Sequence, residues 1–293
     1  MANLKEVRIR IDSVNSTRQI TSAMKMVAAS KLRKSQNAIT AMRPYSAKLQ
    51  ELVQNLSKSM EHTSDGKYSV QRPADRILLV PVTSNRGLCG AFNTNVIRAT
   101  TKLITETYQQ QFEAGNVSLF PIGKKGEEYF RNRNYKLLGS NIHVFDNLNF
   151  TAVVPIAEQF MQAFVAEEFD QVIFVYNQFK NAGTQILIHE QFLPVEMPVV
   201  DENEQYEGVD YLFEPDKNAI LDELIPKTLK MQVYKMILDS FASEHGARMI
   251  SMHKATDNAT EMIKDLKLIY NKARQASITN QIIEIVSGAN ALG

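Results

Sequence analysis

The sequence predicts an α/β fold, in which an antiparallel two-helix coiled coil formed by the N- and C-terminal arms is joined to a central, Rossmann-like layered α/β domain. Helix-breaking residues concentrate in the middle of the 293-residue chain, since nine of the 12 glycines and six of the nine prolines lie between positions 66 and 208. Apolar residues recur at three- and four-residue spacing on both sides of that region. Within it, strand-like and helix-like segments alternate. We therefore expect three segments, at 1–65, 66–208 and 209–293.

The first arm has the apolar pattern of a long helix. Its three- and four-residue steps involve Leu4, Val7, Ile11, Val14, Ile20, Met24, Val27, Met42, Tyr45, Leu49, Leu52 and Leu56. Such spacing over about 55 residues is typical of a coiled-coil seam rather than of a helix on a globular core. Pro44, the only proline of this arm, is expected to bend the helix locally.

The middle segment predicts short elements in alternation. The expected strands are 76–84, 117–123, 142–145, 171–178 and 185–195, and the expected helices are 92–113, 124–134 and 152–168. Alternation of this kind predicts a largely parallel sheet covered by helices. An acidic stretch at 196–223 then leads into the second arm.

The second arm repeats the coiled-coil pattern. One series of three- and four-residue steps contains Met249, Met252, Thr256, Ala259, Ile263, Leu266, Tyr270 and Ala273. Because the arms flank a compact domain, we expect them to pack against each other in antiparallel orientation. Residues 1–60 carry 11 Lys/Arg against three Asp/Glu, whereas 61–243 carry 16 against 24. This asymmetry predicts partners of different charge at different ends of the molecule.

The chain has no recognisable active-site pattern. The segment SNRGLCGAFN (84–93) lacks the third glycine of a dinucleotide-binding turn, and GKKG (123–126) lacks the spacing of a phosphate loop, so both are interpreted as tight turns. The five histidines show no metal-ligand spacing, and there is no Gly-x-Ser-x-Gly elbow. Cys89 is the only cysteine, which excludes an internal disulfide and suggests a buried thiol in a reducing compartment. We expect no catalytic residue, metal or cofactor.

Membrane insertion and nucleic-acid binding are also disfavoured. No run approaches the ~18 apolar residues of a transmembrane helix. The N-terminal stretch MANLKEVRIR has charges where a signal peptide has an apolar core. Lys31, Arg33 and Lys34 form a basic cluster, but Tyr45 is the only aromatic residue of that arm. A partner-facing or solvated coiled-coil flank is therefore favoured over a nucleic-acid surface.

The C-terminal end is unusually apolar. The last sixteen residues, ITNQIIEIVSGANALG, contain one charged residue, Glu284. A helix that is apolar nearly all round must be buried on all sides. At 1.5 Å per residue, a second arm of ~70 residues extends beyond a first arm of ~55 by on the order of 20 Å. We therefore expect Ile282 and Ile285 to lie beyond the first arm and to be covered by another protein.

The chain resembles the γ subunits of F-type ATP synthases over essentially its whole length. The resemblance rests on ITSAMKMVAASKLRKSQ (20–36), RPY (43–45), SNRGLCGAFN (84–93), YLFEPD (211–216) and KARQASITNQIIEIVSGANAL (272–292). It departs from the usual pattern at Asn85, Ala91, Gln281, the pair His253 and Lys254, and Lys25.

The resemblance implies a rotor. The arms would form the curved shaft, with its tip inside the ring of α and β subunits, and the central domain would form the foot, touching the ε subunit and the c-ring. Such a subunit passes rotation from the c-ring to the α/β hexamer and couples proton flow to ATP synthesis. It also regulates ATPase activity and proton flow. The chemistry would belong to β, so the chain would be no enzyme. The chain would be a peripheral protein on the cytoplasmic side of a bacterial inner membrane.

The resemblance also implies three contact regions. Met24, Lys25, Lys31, Arg33 and Lys34 would face the acidic lever of β. Arg274, Gln275, Thr279, Ile282 and Ile285 would lie at the tip, inside the α/β sleeve. Tyr211, Glu214 and Asp216 would lie at the foot, near the c-ring and ε. Two other classes remain as alternatives, namely a nucleotide-binding α/β enzyme with helical arms and a general coiled-coil scaffold.

Overall fold

A computed structural model describes residues 4–58, 67–195 and 217–290. The chain divides into two compact units, one made of residues 1–29 and 248–293 and the other of residues 30–247. The segment boundaries expected near 65 and 208 lie outside the described residues, so that division stays a prediction.

Both arms are long helices, as predicted. Helix α1 spans Leu4–Lys58 and continues through Pro44, and helix α6 spans Lys217–Asn290 and continues through Pro226. In the unit formed by 1–29 and 248–293, the Oγ1 atoms of Thr21 and Thr256 lie 2.9 Å apart. The two arms therefore pair as an antiparallel coiled coil, with rising numbers in α1 opposite falling numbers in α6.

The α1 seam differs from the predicted one in its middle. Ile20 and Val27 were expected inside, but their side chains are 60% and 58% exposed, and Thr21 and Ala28 are buried instead. Tyr45 is likewise 52% exposed rather than part of the seam. Thr21 and Ala28 lie 14 and 21 residues after Val7, in a strict seven-residue repeat. They are buried because helix geometry determines which positions face the partner helix, even where a neighbouring residue is more apolar.

The α6 seam follows the predicted series. Met252, Ala259, Ile263 and Leu266 are buried, and the other members of the series are half-buried. The last half-buried seam position is Ser277, after which every described residue of α6 is exposed. The expectation that the second arm extends beyond the first is confirmed.

The central domain contains a four-stranded sheet in the order β2–β1–β3–β4. The strands are β1 (Ile77–Pro81), β2 (Val117–Leu119), β3 (Gln171–Asn181) and β4 (Thr184–Leu193). Strand β1 pairs in parallel with β2 and β3, whereas β3 and β4 form an antiparallel hairpin. The largely parallel sheet is therefore confirmed, with one antiparallel edge.

The helices of the central domain are shorter than predicted. They are α2 (Phe92–Lys102), α3 (Gln109–Glu113), α4 (Lys124–Arg131) and α5 (Phe150–Val165). The single helix expected at 92–113 is interrupted by a π-helical turn at Leu103–Thr107, so that prediction is only partly correct.

The strand expected at 142–145 is wrong. The Oδ1 atom of Asn141 accepts hydrogen bonds from the backbone N–H groups of His143 and Val144, at 3.1 and 3.0 Å. This Asx-type arrangement turns the chain at the position where a strand would begin. Only isolated bridges, from Leu119 to Leu137 and from Ile122 to Asn141, extend the sheet at this edge.

Strand β1 is buried on both faces, which explains its uninterrupted apolar run. Leu78 and Val80 point into a core shared with α5 and α6, whereas Ile77 and Leu79 point into a second core with Ile104 and other residues near α4. A parallel strand between two helical layers requires apolar side chains at successive positions. This layering places the carboxyl end of β1 beside the loops that the sequence analysis singled out.

Candidate partner interfaces

The basic stretch of α1 presents its charges outward. Leu32 and Ser35 occupy buried seam positions, and the intervening and adjacent Lys31, Arg33 and Lys34 are therefore exposed. Within the described part of the chain, no carboxylate forms an ion pair with these three side chains. An exposed cluster of three unneutralised cations attracts an acidic surface.

The other two predicted residues of this region lie in the unit formed by 1–29 and 248–293. Met24 and Lys25 are half-buried there, on the flank of the seam between Thr21 and Ala28. Because they are half-buried, they are less available to a partner than the three exposed cations further along the helix.

The tip of α6 is an uncovered apolar surface in the described chain. Its exposed apolar side chains are Ile278, Ile282, Ile283, Ile285 and Val286, with Ile282 at 55% and Ile285 at 70% exposure. Arg274, Gln275 and Thr279 are exposed as well, and the Thr279 hydroxyl donates to the Gln275 carbonyl oxygen at 2.9 Å. Contiguous exposed apolar surface of this kind marks an interaction site.

The foot residues Tyr211, Glu214 and Asp216 lie outside the described residues, so their expected contacts stay predictions.

The glycine-containing turns are internally satisfied. A Cβ atom on Gly123 would lie 2.1 Å from the Thr83 carbonyl oxygen, and one on Gly126 would lie 2.8 Å from the Thr83 Oγ1 atom. A side chain at 123 would collide with the Thr83 backbone, and one at 126 would require the Thr83 side chain to shift, which supports the interpretation of GKKG as a turn.

The amino end of α4 also lacks the free donors that a phosphate would need. The backbone N–H of Lys124 donates to Asn85 Oδ1 at 3.0 Å, and that of Lys125 donates to the Ser84 carbonyl oxygen at 3.1 Å. The backbone N–H of Gly126 donates to Thr83 Oγ1 at 2.8 Å. Since a helix terminus binds anions through unpaired N–H groups, this terminus is already occupied by the chain itself.

Leu88 is a feature that the sequence analysis missed. Its φ is +63° and its side chain is 63% exposed, although bulky residues rarely adopt the left-handed conformation. The loop around it is held by Asn93, whose Oδ1 accepts from the Ser84 backbone N–H at 2.9 Å. In the sequence, Gly87 and Gly90 could have indicated this turn, because glycines close to a large apolar residue are typical of an unusual backbone conformation.

Asp239 is a second missed feature. It lies on α6 and is 7% exposed. Burial raises its pKa to about 6, Glu190 raises it as well, and Lys235 and Arg43 oppose the increase. A lone acid inside the apolar run MILDSFAS was the sequence signal, since buried carboxylates are rare without partners.

A family model described as ATP synthase matches residues 3–292. The ATP synthase gamma chain of Flavobacterium johnsoniae is 56% identical over 293 residues, covering 100% of this chain and 99% of its own length. The chain belongs to the ATP synthase gamma chain family. The gamma chain of Christiangramia forsetii is 53% identical over 292 residues, with the same coverage of both chains.

Solved structures agree with this membership. The central stalk and c-ring structure of the Tetrahymena thermophila mitochondrial ATP synthase is matched with 27% identity and a TM-score of 0.58, over 80% of this chain and 99% of that one. The Euglena gracilis mitochondrial ATP synthase, solved with OSCP, F1 and c-ring, is matched with 19% identity and a TM-score of 0.66, over 99% of this chain and 94% of that one. The second likeness shows a shared fold.

The described residues of this gamma-chain family member contain neither a metal-ligand cluster nor a membrane-spanning helix. Among residues 4–58, 67–195 and 217–290, no three His, Cys, Asp or Glu side chains are grouped as metal ligands would be. No helix in those same ranges is long and apolar enough to cross a membrane. The candidate sites described above are two exposed surfaces, the basic stretch of α1 and the apolar tip of α6.

Proposed function

We propose that this chain is the central-stalk rotor subunit of an F-type, proton-translocating ATP synthase. Its partners are the α and β subunits at the tip, and the ε subunit and the c-ring at the foot. Rotation of the c-ring turns the chain, and the turning chain couples proton flow to ATP synthesis and regulates ATP hydrolysis. The observation that carries this proposal is the apolar tip of α6, which the described chain leaves uncovered.

The tip suits a shaft that turns inside a sleeve. Ile282 and Ile285 would be removed from water only by a surrounding partner, and burying such side chains contributes roughly 1.5–3 kcal/mol each. With Glu284 as the only charge between positions 275 and 290, the tip forms no strong fixed ion pairs. A surface held by apolar contacts alone has no single preferred rotational angle, because the hydrophobic effect is non-directional.

The basic stretch suits a contact that changes with angle. Lys31, Arg33 and Lys34 occupy one limited part of α1 and are exposed. As the shaft turns, an acidic lever on each β subunit would meet these cations in succession. Electrostatic attraction between exposed charges is limited by screening, so each encounter is reversible.

In this proposal the chain contributes no catalytic residue, cofactor or metal ligand, and the reaction takes place in the β subunits. The chain associates with the cytoplasmic side of a bacterial inner membrane as a peripheral protein, through the c-ring. The amino end of α4 supports the absence of a nucleotide site from this chain, because its backbone N–H groups are already hydrogen-bonded to Asn85 and Thr83 and cannot bind a phosphate.

Co-expression with the α and β subunits tests the proposal. An affinity tag on β should recover this chain in the complex, and vesicles containing the full complex should pump protons when ATP is added. Recovery of α and β without this chain, or pumping in a complex that lacks it, would contradict the proposal. A general coiled-coil scaffold would be recovered with unrelated proteins instead.

A further inference from the structure

Helix α6 packs Leu229, Val233, Met236 and Ile237 into the apolar core that it shares with β1 and α5. Beside these core side chains it makes five further contacts with the central domain between positions 230 and 246. The contacting pairs are Lys230 with Glu158, Gln232 with Glu190, Tyr234 with Phe150, Phe241 with Phe145, and Gly246 with Ala182. All of these residues belong to the unit formed by residues 30–247. The contacts extend from Lys230 to Gly246, a distance of about 24 Å along the helix.

Three of the contacts are made with α5 and the segment just before it, here called the α5 side. Lys230 Nζ donates to Glu158 Oε1 at 2.6 Å. The ring of Tyr234 packs edge-to-face on Phe150 with 5.9 Å between centroids, and the ring of Phe241 stacks on Phe145 at 5.8 Å. Aromatic pairs in these geometries stabilise beyond their buried area.

The other two contacts are made with the β3–β4 hairpin, here called the hairpin side. Gln232 Nε2 donates to Glu190 Oε1 at 2.9 Å, while the hydroxyl of the fully buried Tyr176 donates to Glu190 Oε2 at 2.7 Å. At the hairpin tip, a Cβ atom on Gly246 would lie 3.2 Å from both the Cα and the carbonyl oxygen of Ala182. The backbone of α6 therefore lies so close to the backbone of the hairpin tip that a side chain at position 246 would displace the tip.

The two sets of contacts lie on opposite faces of α6. Successive residues of an α-helix are rotated by about 100°. Relative to Lys230, the α5-side positions Tyr234 and Phe241 lie within about 40°, whereas the hairpin-side positions Gln232 and Gly246 lie about 200° and 160° around the axis. The central domain therefore grips the helix from two sides.

We propose that this two-sided grip is the path by which torque passes between the central domain and α6. The proposal rests on the rotor function proposed above. A contact on one face would let the helix roll against the domain, whereas forces on two opposite faces form a couple that turns it. Gly246 and Gln232 act as positioning residues, because they hold the hairpin against the helix.

The torsional stiffness of this connection can be measured in the assembled complex. The α and β subunits are fixed to a surface, and a bead is attached to a cysteine introduced at the exposed Asn132 of the central domain, with Cys89→Ser as background. Without ATP, the variance of the bead angle reports how loosely the domain is joined to the held shaft. Gly246→Val displaces the hairpin tip, and Gln232→Leu removes the hydrogen bond to Glu190. Asn258→Val is the matched control, since it places valine at an exposed position of the same helix.

The angular variance should increase about twofold or more in both hairpin-side variants and stay at the wild-type value in the control. On the free full-length chain, hydrogen exchange at 236–246 should accelerate in the same two variants. Unchanged variance in both variants would overturn the proposal, and so would an equal increase in Asn258→Val. If Gly246→Val does not assemble, Gln232→Leu decides. Failure of the wild-type chain to join α and β would instead refute the rotor function itself.

Discussion

Asp239 places a carboxyl group where burial opposes its charge. The nearest charged groups come from three elements: Lys235 on α6, Arg43 on α1 and Glu190 on β4. Burial raises the pKa of Asp239 from 3.8 to about 6, and Glu190 adds to this, while the two cations limit the increase. Because the folded-state pKa is the higher one, the folded chain binds a proton here more readily than the unfolded chain does. This group therefore stabilises the fold as the pH falls from about 7 toward 4 and destabilises it above pH 6.

Replacing this carboxyl by an amide should remove that pH dependence. Asp239→Asn is expected to raise the free energy of unfolding at pH 7.5 by about 1–3 kcal/mol, and by much less at pH 4.5. Urea unfolding of the free chain at both pH values measures the difference. The exposed Asp75→Asn serves as the control and should change little at either pH. Equal effects of Asp239→Asn at the two pH values would show that its charge is not what opposes folding.

The buried seam residues of α1 differ from those that the apolar pattern predicts. The pattern favoured Ile20 over Thr21 and Val27 over Ala28, because the more apolar neighbour was chosen at each step. The seven-residue repeat instead selects Thr21, whose hydroxyl has a partner in Thr256, and Ala28, which is 1% exposed. The contact between Thr21 and Thr256 depends on the opposing helix, and the apolar pattern of one helix carries no information about its partner.

Long secondary-structure elements could be predicted from the sequence, whereas short turns could not. Both arms, the parallel core of the sheet and the overhang of α6 follow from spacing that repeats over many residues. The turn at Asn141 and the π-helical turn at Leu103–Thr107 depend on one or two local hydrogen bonds. Such local bonds override a weak strand or helix tendency, which is why 142–145 was misassigned.

The amino end of α4 leads to a prediction about nucleotide binding. Because its first backbone N–H groups are bonded to Asn85, Ser84 and Thr83, the free chain should not bind Mg-ATP. Isothermal titration calorimetry of the free chain should give no heat of binding at micromolar to millimolar nucleotide. Binding in the micromolar range would revive the nucleotide-binding enzyme as an alternative. Gly126→Ala, which crowds Thr83, should then weaken that binding if α4 provides the site.

The basic stretch of α1 leads to a prediction about coupling. Reversing Lys31, Arg33 and Lys34 to Glu should leave α1 helical, because Glu has nearly the same helix propensity as Lys and Arg. In the assembled complex, ATP-driven proton pumping should fall, since the three exposed cations would become anions facing the acidic lever that we propose for β. Replacing the same three residues by Gln removes the charge without reversing it and should give an intermediate loss. Normal pumping in the Glu variant would show that this face does not act through its charge.

In the molecule as a whole, the residues that stabilise the fold are separate from the exposed residues at the tip of α6. The two cores on either side of β1 stabilise the central domain, and the Thr21–Thr256 layer belongs to the coiled coil. Beyond Ser277, every described residue of α6 is exposed. Apolar side chains there are not buried within the described chain, which agrees with the proposal that partner subunits surround them.

Substitutions at the tip should therefore separate the two properties. Ile282→Asp or Ile285→Asp should change the free energy of unfolding of the free chain by no more than about 0.5 kcal/mol, as at other surface sites. In the complex, the same carboxylate would enter the proposed apolar sleeve without a partner, which costs at least several kcal/mol before relief by protonation or water. Recovery of the chain with α and β, or the number of protons pumped per ATP, should fall accordingly.

The comparison needs a control that keeps the tip apolar. Ile282→Met preserves volume and hydrophobicity and should assemble like the wild type. The decisive measurements are the melting temperature of each free variant and its recovery in the complex. If Ile282→Asp lowers the melting temperature of the free chain by several degrees, the tip packs on its own chain and the sleeve is unnecessary. If neither stability nor assembly changes, the tip remains in water in the complex, and its apolar surface must serve another partner.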